Sequence, residues 1–155
     1  MGQTEMRLEQ LGIKLVRKDR RGAGMVAARL CDDLLFVSGH GPQTASGTPL
    51  YTGKVGSDLT VQQGYEAARQ CGINVLAAVR DAIGDLDRVE QVVKVFGLVA
   101  SAPDFYDQPA VMHGFSDLMV EVLGERGLHA RSAMGTNCLP GNIPVEVEAI
   151  FRIRK

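Results

Sequence analysis

The histidines and cysteines are the first residues to consider for metal binding or nucleophilic chemistry. None of the three histidines has a Cys or a second His at the spacing of a zinc site; they stand at His40, His113 and His129. The three cysteines are widely spaced and none sits beside a His; they stand at Cys31, Cys71 and Cys138. We therefore predict no metal site and interpret the cysteines as reduced thiols of a cytoplasmic protein.

Two short patterns resemble catalytic motifs but lack the context that their chemistry requires. The stretch from Gly22 to Ala27 fits the dinucleotide pattern G-x-G-x-x-A, which must follow a strand and open a helix to aim amides at a pyrophosphate. Here a basic connector precedes the glycines and a predicted strand follows. Ser38 lacks the first Gly of a nucleophile elbow. We predict no cofactor from either pattern.

Length, charge and hydropathy restrict the class of protein. The 155 residues carry 17 basic and 18 acidic side chains, a net charge of -1, so no overall charge attracts nucleic acid or an anionic membrane. No apolar run approaches the roughly 20 residues of a membrane span. The polar N-terminus, Met1 to Met6, is unlike a signal peptide. We predict one cytoplasmic domain over residues 1–155 with no membrane contact.

A basic segment runs from Lys14 to Arg21, with Asp19 as its one acidic residue. It could bind an anion or RNA, or it could be a solvated connector between an N-terminal segment and the first strand. No aromatic residues interleave with the charges to stack on bases, which favours the connector.

Periodicity and turn residues predict two helices and five strands. Asp32-Asp33 separates two short apolar runs, which is typical of a β-hairpin. Thr60 and Gln63 have the spacing of a capping box, and Gly84 ends the helical period. The predicted elements are strands over Met25–Leu30 and Leu34–Ser38, a helix from Thr60 to Gly84, a strand over Val89–Ala100, a helix from about Asp104 to Arg126, and strands over Arg131–Thr136 and Val145–Ile153.

The order β-β-α-β-α-β-β predicts an α+β fold in which two helices cover one face of the sheet. Alternation places four valines of the long strand on one face, at Val89, Val93, Val95 and Val99. The opposite face of the sheet mixes charge and bulk, with Lys94, Phe96, Glu146 and Glu148. We predict that this face lies at a subunit interface, where ligand pockets tend to form.

The C-terminal block carries the most specific pattern. It consists of Ala130-Arg131-Ser132, a Leu139-Pro140 turn and a final strand written Val-Glu-Val-Glu-Ala-Ile from Val145. Upstream, three runs occur in the matching order, Phe36-Val37-Ser38-Gly39, Gly84-Asp85-Leu86-Asp87-Arg88-Val89 and Asp104-Phe105. On these motifs, from about Val26 to Arg152, the chain resembles the reactive intermediate deaminase (Rid) family, also called the YjgF or L-PSP family. Residues 1–22, an N-terminal extension, and the loop over 43–57 resemble a longer, less characterised branch.

The resemblance implies a chorismate-mutase-like fold and a homotrimer with clefts between subunits. In the family's deaminases the Arg of the Ala-Arg-Ser motif binds the carboxylate of an imino acid, and Arg131 occupies that position; a guanidinium can hold a carboxylate through two parallel hydrogen bonds. Glu146 matches the Glu that opens the Glu-x-Glu-Ala motif and would transfer protons. Gly39 and Ala133 would offer backbone groups. The implied reaction is hydrolysis of small 2-imino acids, or their enamine tautomers, to 2-keto acids and ammonia, without a cofactor.

Two positions depart from the family's pattern. The better-known deaminases carry a Tyr inside the first strand and a Cys two residues after the Arg, where this chain has Met25 and Ala133. Both changes remove polar groups from the implied cleft and leave the carboxylate site intact. His40 follows Gly39 directly, and it could line the cleft mouth or lie on the surface.

Three functions are consistent with these residues. The first is the deaminase, and the second is a non-catalytic module that binds or senses a 2-keto acid or another small carboxylate, which the replacements at Met25 and Ala133 favour. The third is an endoribonuclease, which the L-PSP name suggests and the near-neutral charge disfavours. Arg131 could instead be a salt-bridge partner of Glu146 or Glu148 in the trimer, and Glu148 is interpreted as structural.

Overall fold

A computed structural model describes residues 1–19 and 22–155 as a five-stranded sheet with three helices. The strands are β1 (Ala28–Cys31), β2 (Leu34–His40), β3 (Val89–Ala100), β4 (Ala130–Thr136) and β5 (Val145–Ile153), and the helices are α1 (Gln3–Gln10), α2 (Val61–Ile83) and α3 (Gln108–Leu123). The sheet order is β1-β2-β5-β3-β4. Only β3 and β4 pair in parallel among these neighbours, and α3 provides the crossover that a parallel pair needs.

Helices α2 and α3 pack against each other and against one face of the sheet, as predicted. Every second residue of β5 is buried in this core, from Val145 to Ile153. The two helices approach so closely at Gly114 that a Cβ there would lie 2.0 Å from the Tyr65 carbonyl oxygen. Thr60 and Gln63 form the predicted capping box at the start of α2. The predicted α+β layout is therefore confirmed.

Two predicted boundaries were wrong. Strand β1 begins at Ala28 rather than at Met25, because Gly22 and Met25 close a separate turn in which the Met25 N–H donates to the Gly22 carbonyl at 3.0 Å. Helix α3 begins at Gln108 rather than near Asp104. Pro109 lies in its first turn, the one place in a helix where a missing N–H is tolerated.

Strand β3 departs from simple alternation. Val92 is buried and Val93 is only half-buried, so the prediction of Val93 in the core was wrong. The pairing of β3 with β5 shifts register twice in the first half of the strand. Such irregularities change which face the following residues occupy. The other three predicted core positions of this strand are buried, at Val89, Val95 and Val99.

The N-terminal extension contains a helix, α1, that the sequence pattern did not predict. Asp87 accepts hydrogen bonds from the backbone N–H groups of Gln3 at 2.7 Å and Thr4 at 2.9 Å, and from the Thr4 hydroxyl. Leu8 is buried in the core. Because Gly2 at the N-cap has no side chain, Asp87 supplies the cap that the free N–H groups of the first turn need.

The basic segment is partly packed rather than fully solvated. Lys18 Nζ donates to the backbone carbonyls of Gln43 at 3.0 Å and Thr44 at 3.1 Å, and to the Asn74 amide oxygen at 3.4 Å. The connector interpretation is therefore corrected for Lys18, which anchors the segment to the loop over 43–57 and to α2. The end of the segment, Arg20-Arg21, lies outside the described residues. In the part of the chain that is described, no helix is long and apolar enough to cross a membrane.

Candidate functional site

Arg131 lies on β4, the strand at one edge of the sheet. The parallel pairing aligns it with Val95, which is buried in the core, so the Arg131 side chain leaves the strand on the helix-covered face. There its Nη1 donates to Ser116 Oγ at 3.1 Å and to His113 Nδ1 at 3.1 Å. Both partners are on α3, so the guanidinium is attached to the helix rather than extended into solvent.

Among residues 1–19 and 22–155, no carboxylate forms an ion pair with the Arg131 guanidinium. None of the ion pairs among the described residues includes Arg131, and in the same residues its Nε and Nη2 atoms have no hydrogen-bond partner. Burial lowers the pKa of Arg131 and the charge of Asp117 opposes this effect; an arginine still remains charged at any working pH. The side chain therefore presents a positive edge, formed by Nε and Nη2, that makes no hydrogen bond or ion pair with the described residues.

His129 lies beside Ser116 and completes the surroundings of the guanidinium. Its Nδ1 is 2.6 Å from the Gly127 carbonyl oxygen, and its Nε2 is 2.9 Å from Ser116 Oγ. A carbonyl oxygen only accepts, so Nδ1 carries the proton and Nε2 accepts from the Ser116 hydroxyl. Burial lowers the pKa of His129, Arg131 lowers it further, and the Gly127 carbonyl opposes both. The imidazole is therefore neutral at pH 7.

Glu146 and Gly39 meet on the opposite, helix-free face of the sheet. They line a shallow cavity of about 140 Å³ together with Phe96, Leu98 and Glu148. A Cβ built on Gly39 would lie 2.9 Å from Glu146 Oε2, so this close approach of the carboxylate requires a glycine at position 39. Two of the predicted site residues thus share one cavity.

The structure does not bring Arg131 and Glu146 together within one chain. Glu146 is aligned with Leu98, whose neighbours on the strand, Gly97 and Val99, are buried. Arg131 is aligned with the buried Val95 on the other face. The intrachain salt bridge between these side chains is absent among the described residues. The site that the motifs predict is therefore divided into two halves, one on each face of the sheet.

Comparison with known proteins matches residues 21–150 to the family described as "YjgF/chorismate_mutase-like, putative endoribonuclease". The chain belongs to the YjgF family. Protein TCP17 of Trypanosoma cruzi is 40% identical over 153 residues, which are 98% of this chain and 95% of that protein. The crystal structure of Atu1372 from Agrobacterium tumefaciens has 41% identity and a TM-score of 0.90, with 98% of this chain and 92% of that chain covered. E. coli TdcF, solved with bound serine, has the same fold at 20% identity and a TM-score of 0.62, with 92% and 99% covered.

The remaining predicted residues occupy different parts of this YjgF-family fold. Ala133 is half-buried on β4, two residues after Arg131 and on the same face. Met25 precedes β1 and is 44% exposed. His40 is 5% exposed, which excludes a surface position; it is aligned with the buried Val147, and its Nδ1 lies 2.6 Å from the Ser38 carbonyl oxygen. His40 therefore faces the helix layer, away from the cavity of Glu146.

Three residues beside Arg131 were not predicted as part of a site. His113 and Ser116 are three residues apart on α3 and so share a helix face, and His129 is two residues before Arg131. This spacing was visible in the sequence, but the contact between α3 and the start of β4 was not.

Over residues 1–19 and 22–155, no group of three or more His, Cys, Asp or Glu could hold a metal ion.

Proposed function

We propose that this YjgF-family protein hydrolyses small 2-imino acids, or their enamine tautomers, to 2-keto acids and ammonia. In this reaction water adds to the C=N carbon, the C–N bond breaks, and the nitrogen leaves as ammonia while C=O forms. The observation that carries the proposal is the Arg131 guanidinium, whose Nε and Nη2 edge makes no hydrogen bond or ion pair with the part of the chain that the structure describes. Such an edge matches the two oxygens of a carboxylate.

Arg131 would hold the substrate's carboxylate and thereby fix the position of the adjacent imine carbon. Two parallel hydrogen bonds restrict both the distance and the plane of the ligand, which a single ammonium cannot do. A reactive imine needs little further activation, so orientation supplies much of the rate increase. The serine bound to E. coli TdcF, a small molecule with a carboxylate, supports this ligand class.

Glu146 would move the protons. A carboxylate within reach of the imine can accept a proton from the attacking water and return it to the departing nitrogen. Gly39 allows the carboxylate to lie against the β2 backbone. The apolar side chains of Phe96 and Leu98 line this cavity together with Glu148.

The assembly that fits this chemistry is a homotrimer with clefts between subunits. Arg131 is on an edge strand and Glu146 is on the helix-free face, so one ligand can contact both only if they come from different copies. The helix-free face also exposes large apolar side chains, with Phe36 43% and Met134 54% exposed. Burial of such a face against another copy of the chain stabilises an oligomer.

The test is the rate of keto-acid formation from 2-iminobutanoate and 2-iminopropanoate, generated in situ by an amino acid oxidase. We expect the protein to accelerate hydrolysis over buffer, and Arg131→Ala to abolish the acceleration without changing the oligomeric state. Arg17→Ala is the matched control, because Arg17 is highly exposed and distant in sequence from the motifs. A trimeric protein that leaves the rate at the buffer value contradicts the proposal.

A second candidate is a binding protein for 2-keto acids without turnover. The observation that favours it is the apolar character of Met25 and Ala133, at positions where the better-known deaminases carry Tyr and Cys. Stabilisation of the protein by 2-oxobutanoate in a thermal-shift experiment, with no imine hydrolysis, would support this function over the first.

A further inference from the structure

The hydrogen bonds around Arg131 have only one consistent direction. The Gly127 carbonyl accepts from His129 Nδ1, so His129 Nε2 accepts from the Ser116 hydroxyl, and Ser116 Oγ accepts from Arg131 Nη1. The second Nη1 hydrogen points to His113 Nδ1. Both hydrogens of Nη1 are therefore used within the chain, and the donors of Nε and Nη2 remain for a ligand.

The backbone end of this chain of hydrogen bonds is held rigidly. Gly127 is buried, and a Cβ there would lie 2.2 Å from the Met119 carbonyl oxygen, so the turn packs directly on the backbone of α3. The neighbouring Arg126 donates to the Val89 carbonyl at 2.7 Å and joins the same turn to β3. The His129 ring also packs edge-on against Phe115, with ring centroids 6.2 Å apart. A fixed carbonyl and a packed ring leave His129 a single orientation.

We propose that Ser116 and His129 are positioning residues that hold the Arg131 guanidinium so that a carboxylate binds side-on, through Nε and Nη2. This inference rests on the proposed function, because it assigns a task to residues that contact Arg131 and not the substrate. The consequence is selectivity for a planar carboxylate in one orientation. The other edge of the guanidinium, formed by Nη1 and Nη2, is not open to a carboxylate, because Ser116 and His113 take the hydrogens of Nη1. His113 contributes less, because it is exposed and water can replace its nitrogen.

The test measures the affinity of the protein for 2-oxobutanoate by calorimetry. Ser116→Ala and His129→Phe each break the series at the hydrogen bond between Ser116 and His129, and His129→Phe keeps a ring against Phe115. We expect each to weaken binding about threefold to tenfold, and the double variant to bind no more weakly than the worse single variant, because the two groups act as one unit. Ser116→Thr, which keeps the hydroxyl, should restore affinity.

Ser101→Ala is the matched control, because Ser101 is also half-buried and its hydroxyl donates to the Val99 carbonyl at 2.9 Å. If Ser116→Ala changes affinity no more than Ser101→Ala does, while Arg131→Ala abolishes binding, the positioning role is wrong and the proposed function stands. If Arg131→Ala binds normally, the proposed function itself fails. Should Ser116→Ala not fold, Ser116→Cys, a close isostere with a weak donor, replaces it, and unchanged affinity in that variant contradicts the inference.

Discussion

The guanidinium of Arg131 and the carboxylate of Glu146 lie on opposite faces of the same sheet. β5 occupies the centre of the sheet and β4 its edge, so within one chain the two side chains point away from each other. If both act on the same substrate, each cleft must take Arg131 from one copy and Glu146 from another.

This division predicts complementation between inactive variants. We expect Arg131→Ala and Glu146→Gln to be inactive alone and to regain activity when co-expressed, because some clefts then combine an intact Arg131 with an intact Glu146. With random assembly at equal amounts, about a quarter of the clefts are intact. The measurement is imine hydrolysis by the mixed oligomers, whose composition is verified by native mass spectrometry. Co-expression of Arg131→Ala with the double variant is the control. If both single variants are inactive and the mixed oligomers are inactive too, the two groups act from one chain and the division between copies is wrong.

The contact between Gly39 and Glu146 predicts how the carboxylate responds to substitution. Glu146→Gln keeps the shape against Gly39 and removes the proton acceptor, so kcat should fall about 10²- to 10⁴-fold with little change in KM. Gly39→Ala places a methyl group 2.9 Å from the Glu146 carboxylate oxygen and should displace it. We expect this variant to lose kcat while it still binds 2-oxobutanoate through Arg131. Loss of 2-oxobutanoate binding with unchanged kcat would assign Gly39 and Glu146 to binding instead.

The parts of the fold that the sequence predicted are those fixed by local patterns. The strict alternation of β5 follows from burial of one face, and the capping box of Thr60 and Gln63 is a contact between residues three apart. The family motifs located Arg131 and Glu146 for the same reason, since each motif is a short run. None of these features depends on knowing which strands pair.

The features that escaped prediction depend on distant contacts. Helix α1 is capped by Asp87, which is more than 80 residues away in sequence, so no local signal marks its start. Val92, and not the predicted Val93, lies in the core because of the register between β3 and β5. The separation of Arg131 from Glu146 follows from sheet order, and the contact of His129 with Ser116 follows from the packing of α3 beside β4.

The buried imidazole of His129 predicts a pH dependence of stability. Its folded pKa is lowered, first by burial, from an ordinary value of 6.5. Near and below pH 6.5 the unfolded chain therefore binds a proton that the folded chain does not. The contribution of the neutral His129 ring to the free energy of unfolding is complete above this pH, and it decreases as the pH falls toward the pKa of the folded state. We expect the melting temperature of the wild type to fall more between pH 7.5 and pH 5.5 than that of His129→Phe. Equal falls in the two proteins would mean that the ring is protonated or exposed in the folded state.

The cap that Asp87 provides predicts that α1 contributes measurably to stability. The hydrogen bond from the Thr4 hydroxyl lowers the pKa of Asp87, burial opposes it, and the backbone N–H groups of Thr4 and Gln3 lower the pKa further. Asp87→Ala should reduce the free energy of unfolding by about 1 to 2 kcal/mol, measured by urea denaturation at pH 7. Because the folded pKa lies below the ordinary 3.8, this difference should persist at mildly acidic pH and disappear only below that value. Asp107→Ala is the control, since Asp107 precedes α3 but its side chain caps nothing; an equal loss in both variants would mean that the Asp87 cap does not hold α1 in place.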